Sequence, residues 1–153
     1  WGSSKEDVRK QLSLKGFTPG VVDKDGDFKF EGTLIGHKAQ GLAFFGNDKL
    51  VKFIIRIITS DREAIRTYRS MREVLSNKYG SPDNQVEHFK RPYYDGDGYE
   101  EQALRLGKAT FMAIWGKSLL LEIHESLTVQ VLYESDAWSE ESAKRKARST
   151  SVF

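Results

Sequence analysis

The chain has 153 residues, with 24 Lys plus Arg against 22 Asp plus Glu, three His, no Cys and 12% aromatic residues. A domain of this size buries roughly two thirds of its unfolded surface, enough for a core without disulfides or metal. The composition excludes a disulfide scaffold, a collagen-like chain, a long disordered chain and a membrane-spanning helix, and a net charge of +2 leaves little general attraction for a polyanion. Without Cys there is no thiol nucleophile, and a reducing and an oxidising compartment fit equally well. The chain opens at Trp1 rather than Met. An upstream segment, a signal peptide among the candidates, is therefore expected to have been removed.

In chain order, Ser4 to Leu14 has the signature of a helix start, with Ser3 or Ser4 as acceptor for the unpaired N–H groups and Glu6 and Asp7 in the first turn. Val8 and Leu12 share a face, and Gly16 fits the left-handed stop that closes such a helix. From Phe28 to Thr59 the apolar period changes to alternation. Turn residues at Asp25-Gly26 and Gly46-Asn47-Asp48 punctuate a three-strand meander over Phe28 to Ile35, Lys38 to Phe45 and Leu50 to Thr59. In the third strand Val51, Phe53, Ile55 and Ile57 form an apolar face while Lys52, Ile54, Arg56 and Ile58 form a mixed one, which predicts a central position.

Ser60 to Glu63 has capping-box spacing, and apolar residues then recur every three or four positions up to Tyr79, predicting an amphipathic helix of about 19 residues. Arg62, Arg66 and Arg69 fall in one row of its polar face, with Glu63 and Glu73 at partner spacing. The pattern weakens from Asn84 to Gly107, where a long irregular excursion is expected, with Tyr99 to Leu106 a short helix or irregular strand. Strands resume at Ala109 to Trp115, Ser118 to His124 and Thr128 to Tyr133, a second antiparallel meander. The expected fold is α+β: a mostly antiparallel sheet of about six strands with two main helices on one face, ordered α-β-β-β-α-loop-β-β-β. Residues 1–135 are expected to form this one domain, and 136–153 a charged C-terminal helix or tail.

Trp1-Gly2-x-Ser4-x-Glu6-x-Val8 leading into a helix, and a later helix ending Leu75-x-x-Lys78-Tyr79-Gly80-x-Pro82 before strands, resemble bacterial cell-envelope domains of the β-lactamase-inhibitor-protein-like and outer-membrane-assembly-lipoprotein kind. The resemblance touches about a third of the chain. It implies helix-plus-meander units, action by protein–protein contact without catalysis, and a periplasmic or extracellular location. The excursion over residues 85–108 departs from a compact version of that pattern, and no functional residue carries over from it.

Several patterns compete as sites. Asp23-Lys24-Asp25-Gly26-Asp27 sets three carboxylates at alternate positions, like the start of a calcium loop, but Phe28 and Leu34 stand where an EF-hand needs Gly and Glu. Asp95-Gly96-Asp97-Gly98 is a second acidic turn. His37, His88 and His124 lack the spacing of paired metal ligands, so no metal site is expected. Glu122 and His124 project from one side of a strand, as an acid/base pair would. Ser118 and Ser126 lack a nucleophile elbow, and no glycine loop has phosphate-binding spacing. Arg91, Tyr93, Tyr94 and Tyr99 bring residue types favoured at protein contacts into the excursion.

The expected function is a non-catalytic protein- or peptide-binding domain that uses this loop together with Lys52, Arg56, Glu122 and His124 on the polar sheet face. No cofactor is expected. The rival is an enzyme handling a small molecule where Lys52, Arg56, Glu122 and His124 meet. A third reading is a nucleic-acid accessory factor using Lys144 to Arg148 with Trp138, although nucleic acid is not the expected partner.

Overall fold

The computed structural model describes residues 2–150; Trp1 and the last three residues of the expected C-terminal tail lie outside the described residues. The elements are α1 (Lys5–Leu14), β1 (Thr18–Pro19), β2 (Phe28–Leu34), β3 (His37–Gly46), β4 (Lys49–Ile57), a 3-10 turn (Asp61–Glu63), α2 (Ala64–Tyr79), β5 (Asn84–Phe89), α3 (Glu100–Arg105), β6 (Ala109–Trp115), β7 (Leu119–Ile123), β8 (Val129–Glu134) and α4 (Ala137–Thr150). All eight strands form a single sheet in the order β1-β2-β3-β4-β8-β7-β6-β5, and every neighbouring pair is antiparallel. The fold is therefore α+β, with the two meanders meeting where β4 pairs with β8.

The sheet has eight strands rather than about six because both of its edges escape the sequence pattern. β1 is two residues long, and β5 carries only Val86 and Phe89 as apolar residues. The excursion thus holds an edge strand and the short helix α3.

Local chemistry explains the helix ends. Ser4 caps α1 by accepting from the Asp7 N–H at 3.3 Å, and Gly16 turns the chain at φ 86°, while the Phe17 N–H reaches back to the Leu12 carbonyl. The capping box expected at Ser60 to Glu63 does not form. Ser60 makes no side-chain cap, the first turn is 3-10, and the Glu63 carboxylate lies 4.0 Å from His37 Nδ1.

One face of the sheet holds the core. Val8 and Leu12 of α1 pack on Phe28, Phe30, Ala43, Phe45 and Leu50. Tyr68, Met71 and Leu75 of α2, with Leu104 of α3, pack on Phe111, Ala113, Leu121, Val129 and Val131. Helix α4 packs elsewhere: Trp138 lies 5.3 Å from the Phe44 ring, and Lys52 Nζ lies 4.5 Å from the Trp138 centroid, at one corner of the opposite face.

Arg145 fastens α4 to the first hairpin. It donates to both carboxylate oxygens of Asp27, to the Phe45 carbonyl at 2.9 Å and to Glu141 at 3.0 Å. Asp27 is 5% exposed and also accepts from the Phe45 N–H at 3.0 Å. Hydrogen bonding to Asp27 holds the guanidinium still more firmly protonated than usual, against the opposing effect of burial. The pair is thus a buried charge network with its hydrogen bonds in place, the arrangement that such a network needs.

Candidate functional site

The register places the second face of the sheet in cross-strand rows. Leu42, Ile54, Leu132, Leu120 and Ile114 stand opposite one another across β3, β4, β8, β7 and β6. Each is only partly buried, so an aliphatic row crosses five strands in reach of solvent. The next row is polar: Glu31, Gln40, Arg56, Gln130 and Glu122, continuing to Met112 and Val86.

Hydrogen bonds tie this polar row together. Arg56 Nε donates to Gln130 Oε1 at 3.0 Å, Gln130 Nε2 donates to Glu122 Oε1 at 3.2 Å, and Gln40 Nε2 donates to Glu31 Oε1 at 3.4 Å. Gln130 is 8% exposed with both ends of its amide engaged, so its neighbours are held in fixed positions. A shallow hollow of about 280 Å³ opens on this face between Lys29, Gln40, Leu42, Ile54 and Arg56.

The four polar residues proposed from the sequence share this face without converging. Lys52 lies four residues from Arg56 along β4, roughly 13 Å at the rise of a strand, and pairs with Glu134 at 3.2 Å. Glu122 is engaged with Gln130, while His124 Nδ1 faces Ser126 Oγ at 3.1 Å and accepts from the Ser126 N–H at 3.3 Å. The imidazole therefore braces the β7–β8 turn, and no shared reaction centre forms around Lys52, Arg56, Glu122 and His124.

The excursion forms a separate feature at the β5–β6 end. Tyr93, Tyr94 and Tyr99 line a cleft with Pro92 and Gln102, and Tyr94 and Tyr99 are 65% and 61% exposed. Both carboxylate oxygens of Asp97 accept backbone N–H groups, from Tyr94 at 3.0 Å and Tyr99 at 2.8 Å, which shapes this acidic turn from within. Arg91 is exposed.

Other candidates resolve into structural roles. Asp23, Asp25 and Asp27 place oxygens within 4.8 Å of one another, but Asp27 is held by Arg145, and Asp23 Oδ1 accepts from the Asp25 and Asp27 N–H groups in a tight turn. Arg69 and Arg72 both reach Glu87 on β5, at 3.3 and 3.0 Å, in place of the expected Arg69–Glu73 pairing along the helix. Of the C-terminal basic run, Arg145 points inward, Arg148 approaches Glu141 at 3.5 Å, and Lys144 pairs with Glu140 at 3.3 Å. Among the described residues no helix is long and apolar enough to cross a membrane.

The aliphatic row was legible only in part. Strands such as Leu119-Leu120-Leu121 and Phe53-Ile54-Ile55 are apolar on both faces, the pattern of a sheet with something on each side. That doubling is the sequence signal for Leu120, Leu132 and Leu42, which polar patterning does not mark. Compared with protein-family models, curated proteins and solved structures, the chain has no significant match.

Proposed function

We propose that the chain is a non-catalytic protein- or peptide-binding domain whose contact surface is the second face of the sheet. One observation carries the reading: α1, α2 and α3 all pack on the other face, leaving the Leu42–Ile54–Leu132–Leu120–Ile114 row in reach of solvent beside a hydrogen-bonded polar row. A contiguous apolar strip with a polar border is the usual composition of a contact surface. Arg56 and Glu122 keep hydrogen-bonding capacity at its edge, where they favour a partner that supplies both charge signs. The exposed Tyr94 and Tyr99 offer a further contact at the β5–β6 end. The likeness of Trp1–Val8 and Leu75–Pro82 to cell-envelope domains supports a periplasmic or extracellular setting in a bacterium, checked by fractionating source cells with an antibody to the chain.

The test is a selection of displayed random peptides on the immobilised domain, followed by mapping of backbone NMR shifts. Selected peptides are expected to carry paired apolar or aromatic residues and to shift β3, β4, β8 and β7 first. Their affinity should fall roughly tenfold or more for the Leu120→Lys, Leu132→Lys double variant, since central apolar anchors dominate such contacts. A selection that returns nothing above background, or peptides that map to the helix-covered face, overturns the proposal.

A further inference from the structure

The two edges of the sheet are not equally protected. β1 offers only Thr18 and Pro19, and Pro19 has no N–H to donate. β5 offers six residues without Pro or Lys, of which Asn84, Gln85, Glu87 and His88 are exposed. The Lys90 N–H bonds to the Lys108 carbonyl at 2.7 Å, and the register pairs His88 with Thr110, Val86 with Met112 and Asn84 with Ile114. Alternation then turns the N–H and C=O groups of Gln85, Glu87 and Phe89 outward, away from β6. An unpaired edge of this length is a template for another strand.

We propose that β5 is the docking edge for a second copy of this chain, paired antiparallel about a two-fold axis at Val86. The β5 edge is complementary to itself. Outward groups must pair with outward groups, and the register centred on Val86 sets Gln85 against Glu87 of the second copy on the helix-covered face. On the other face it sets Val86 against Val86 and Asn84 against His88. No like charges stand opposite one another in this register. The register centred on Glu87 would oppose two carboxylates, and the one centred on His88 would oppose two imidazoles and leave each Glu87 facing Phe89.

Two consequences follow from this geometry. A two-fold contact is closed, so pairing stops at a dimer while the β1 edges stay blocked. The row that runs from Gln40 through Arg56, Gln130, Glu122, Met112 and Val86 becomes continuous with its copy, joining two second faces into one surface. Two six-residue strands are a small contact, so exchange between monomer and dimer is expected.

The chain has no Cys, so one introduced thiol reports the register directly. Opposed residues in a non-hydrogen-bonded antiparallel pair have Cα atoms about 4.5 Å apart, within the range a disulfide spans. Val86→Cys is expected to give a disulfide-linked dimer under mild oxidation faster than an exposed control, Lys24→Cys, and faster than His88→Cys. In sedimentation, the mass should double with rising concentration. Gln85→Pro removes an outward N–H and no ladder bond, so it should stay monomeric with an unchanged melting temperature. A monomeric mass at every concentration, cross-linking no faster than the control, preferential cross-linking at His88, or a dimer that survives Gln85→Pro would each overturn the proposal. None of these readouts depends on the peptide-binding reading.

Discussion

The N-terminal half, α1 to β4, and the C-terminal half, α2 to β8, share a plan of a leading helix and four strands, with α3 inserted between β5 and β6 of the second, but fill their cores by different means. α1 has 10 residues and buries Val8 and Leu12, whereas α2 has 16 and buries Ala64, Thr67, Tyr68, Met71 and Leu75. Under the shorter helix, aromatic rings fill the space that glycines leave open. A Cβ built on Gly41 would collide with the Phe30 ring, and one on Gly32 with the Phe17 ring. Under the longer helix the strands carry aliphatic residues around Tyr68 and Phe111, whose rings meet edge to face at 5.6 Å. Similar topology is thus reached with dissimilar residues, which explains why the repeat shows in the order of elements and not residue by residue.

The largest expected effect tests whether the C-terminal core dominates stability. Phe111 is 1% exposed, and Phe111→Ala should cost about 3–5 kcal/mol in urea unfolding, against about 2 for Leu12→Ala under α1. Equal losses would dissolve the contrast. Next comes the clasp: Arg145→Met strips Asp27 of its buried partner and should cost about 3 kcal/mol. Hydrogen exchange should show the loss in the 23–48 region first, since that is where Asp27 and Phe45 lie.

The Tyr68 hydroxyl is buried without a hydrogen-bond partner among the described residues, and burial pushes its ionisation up to about 12, against the pull of Arg72. The unfolded chain releases this proton near pH 10 and the folded chain only near 12, so stability is whole below pH 10. It falls by about 1.4 kcal/mol per pH unit between those values. Tyr68→Phe should flatten that slope without weakening the protein at neutral pH, as followed by urea unfolding at stepped pH. The smallest effect tests the aromatic-on-glycine packing: Gly41→Ala should cost about 1–3 kcal/mol in urea unfolding, because Phe30 must leave its position.

Periodic segments were readable because burial on one side writes a pattern into the chain. Val8 with Leu12, and Tyr68 with Met71 and Leu75, declare two helices, and the alternation from Phe28 and from Ala109 declares two meanders. The edges were not readable, since β5 is covered on one side only and Asn84, Gln85, Glu87 and His88 carry no alternation of apolar and polar residues. Asp27 reads like a calcium ligand until Arg145, 118 positions away, is seen to hold it. The candidate surface stayed hidden for a related reason. Leu42, Leu120 and Leu132 look like ordinary core residues until the register shows which side of the sheet they occupy.

The strand order carries one more consequence, because the halves touch edge to edge only where β4 meets β8. A break in the segment between β4 and α2 would yield two fragments, each ending its own sheet with a bare central strand, and α4 from the second fragment would reach back across the seam to Asp27 of the first. To restore the sheet, the fragments would have to re-form the six β4–β8 residue pairs, reseat Ile57 in the core under α2 and bring Arg145 back to Asp27.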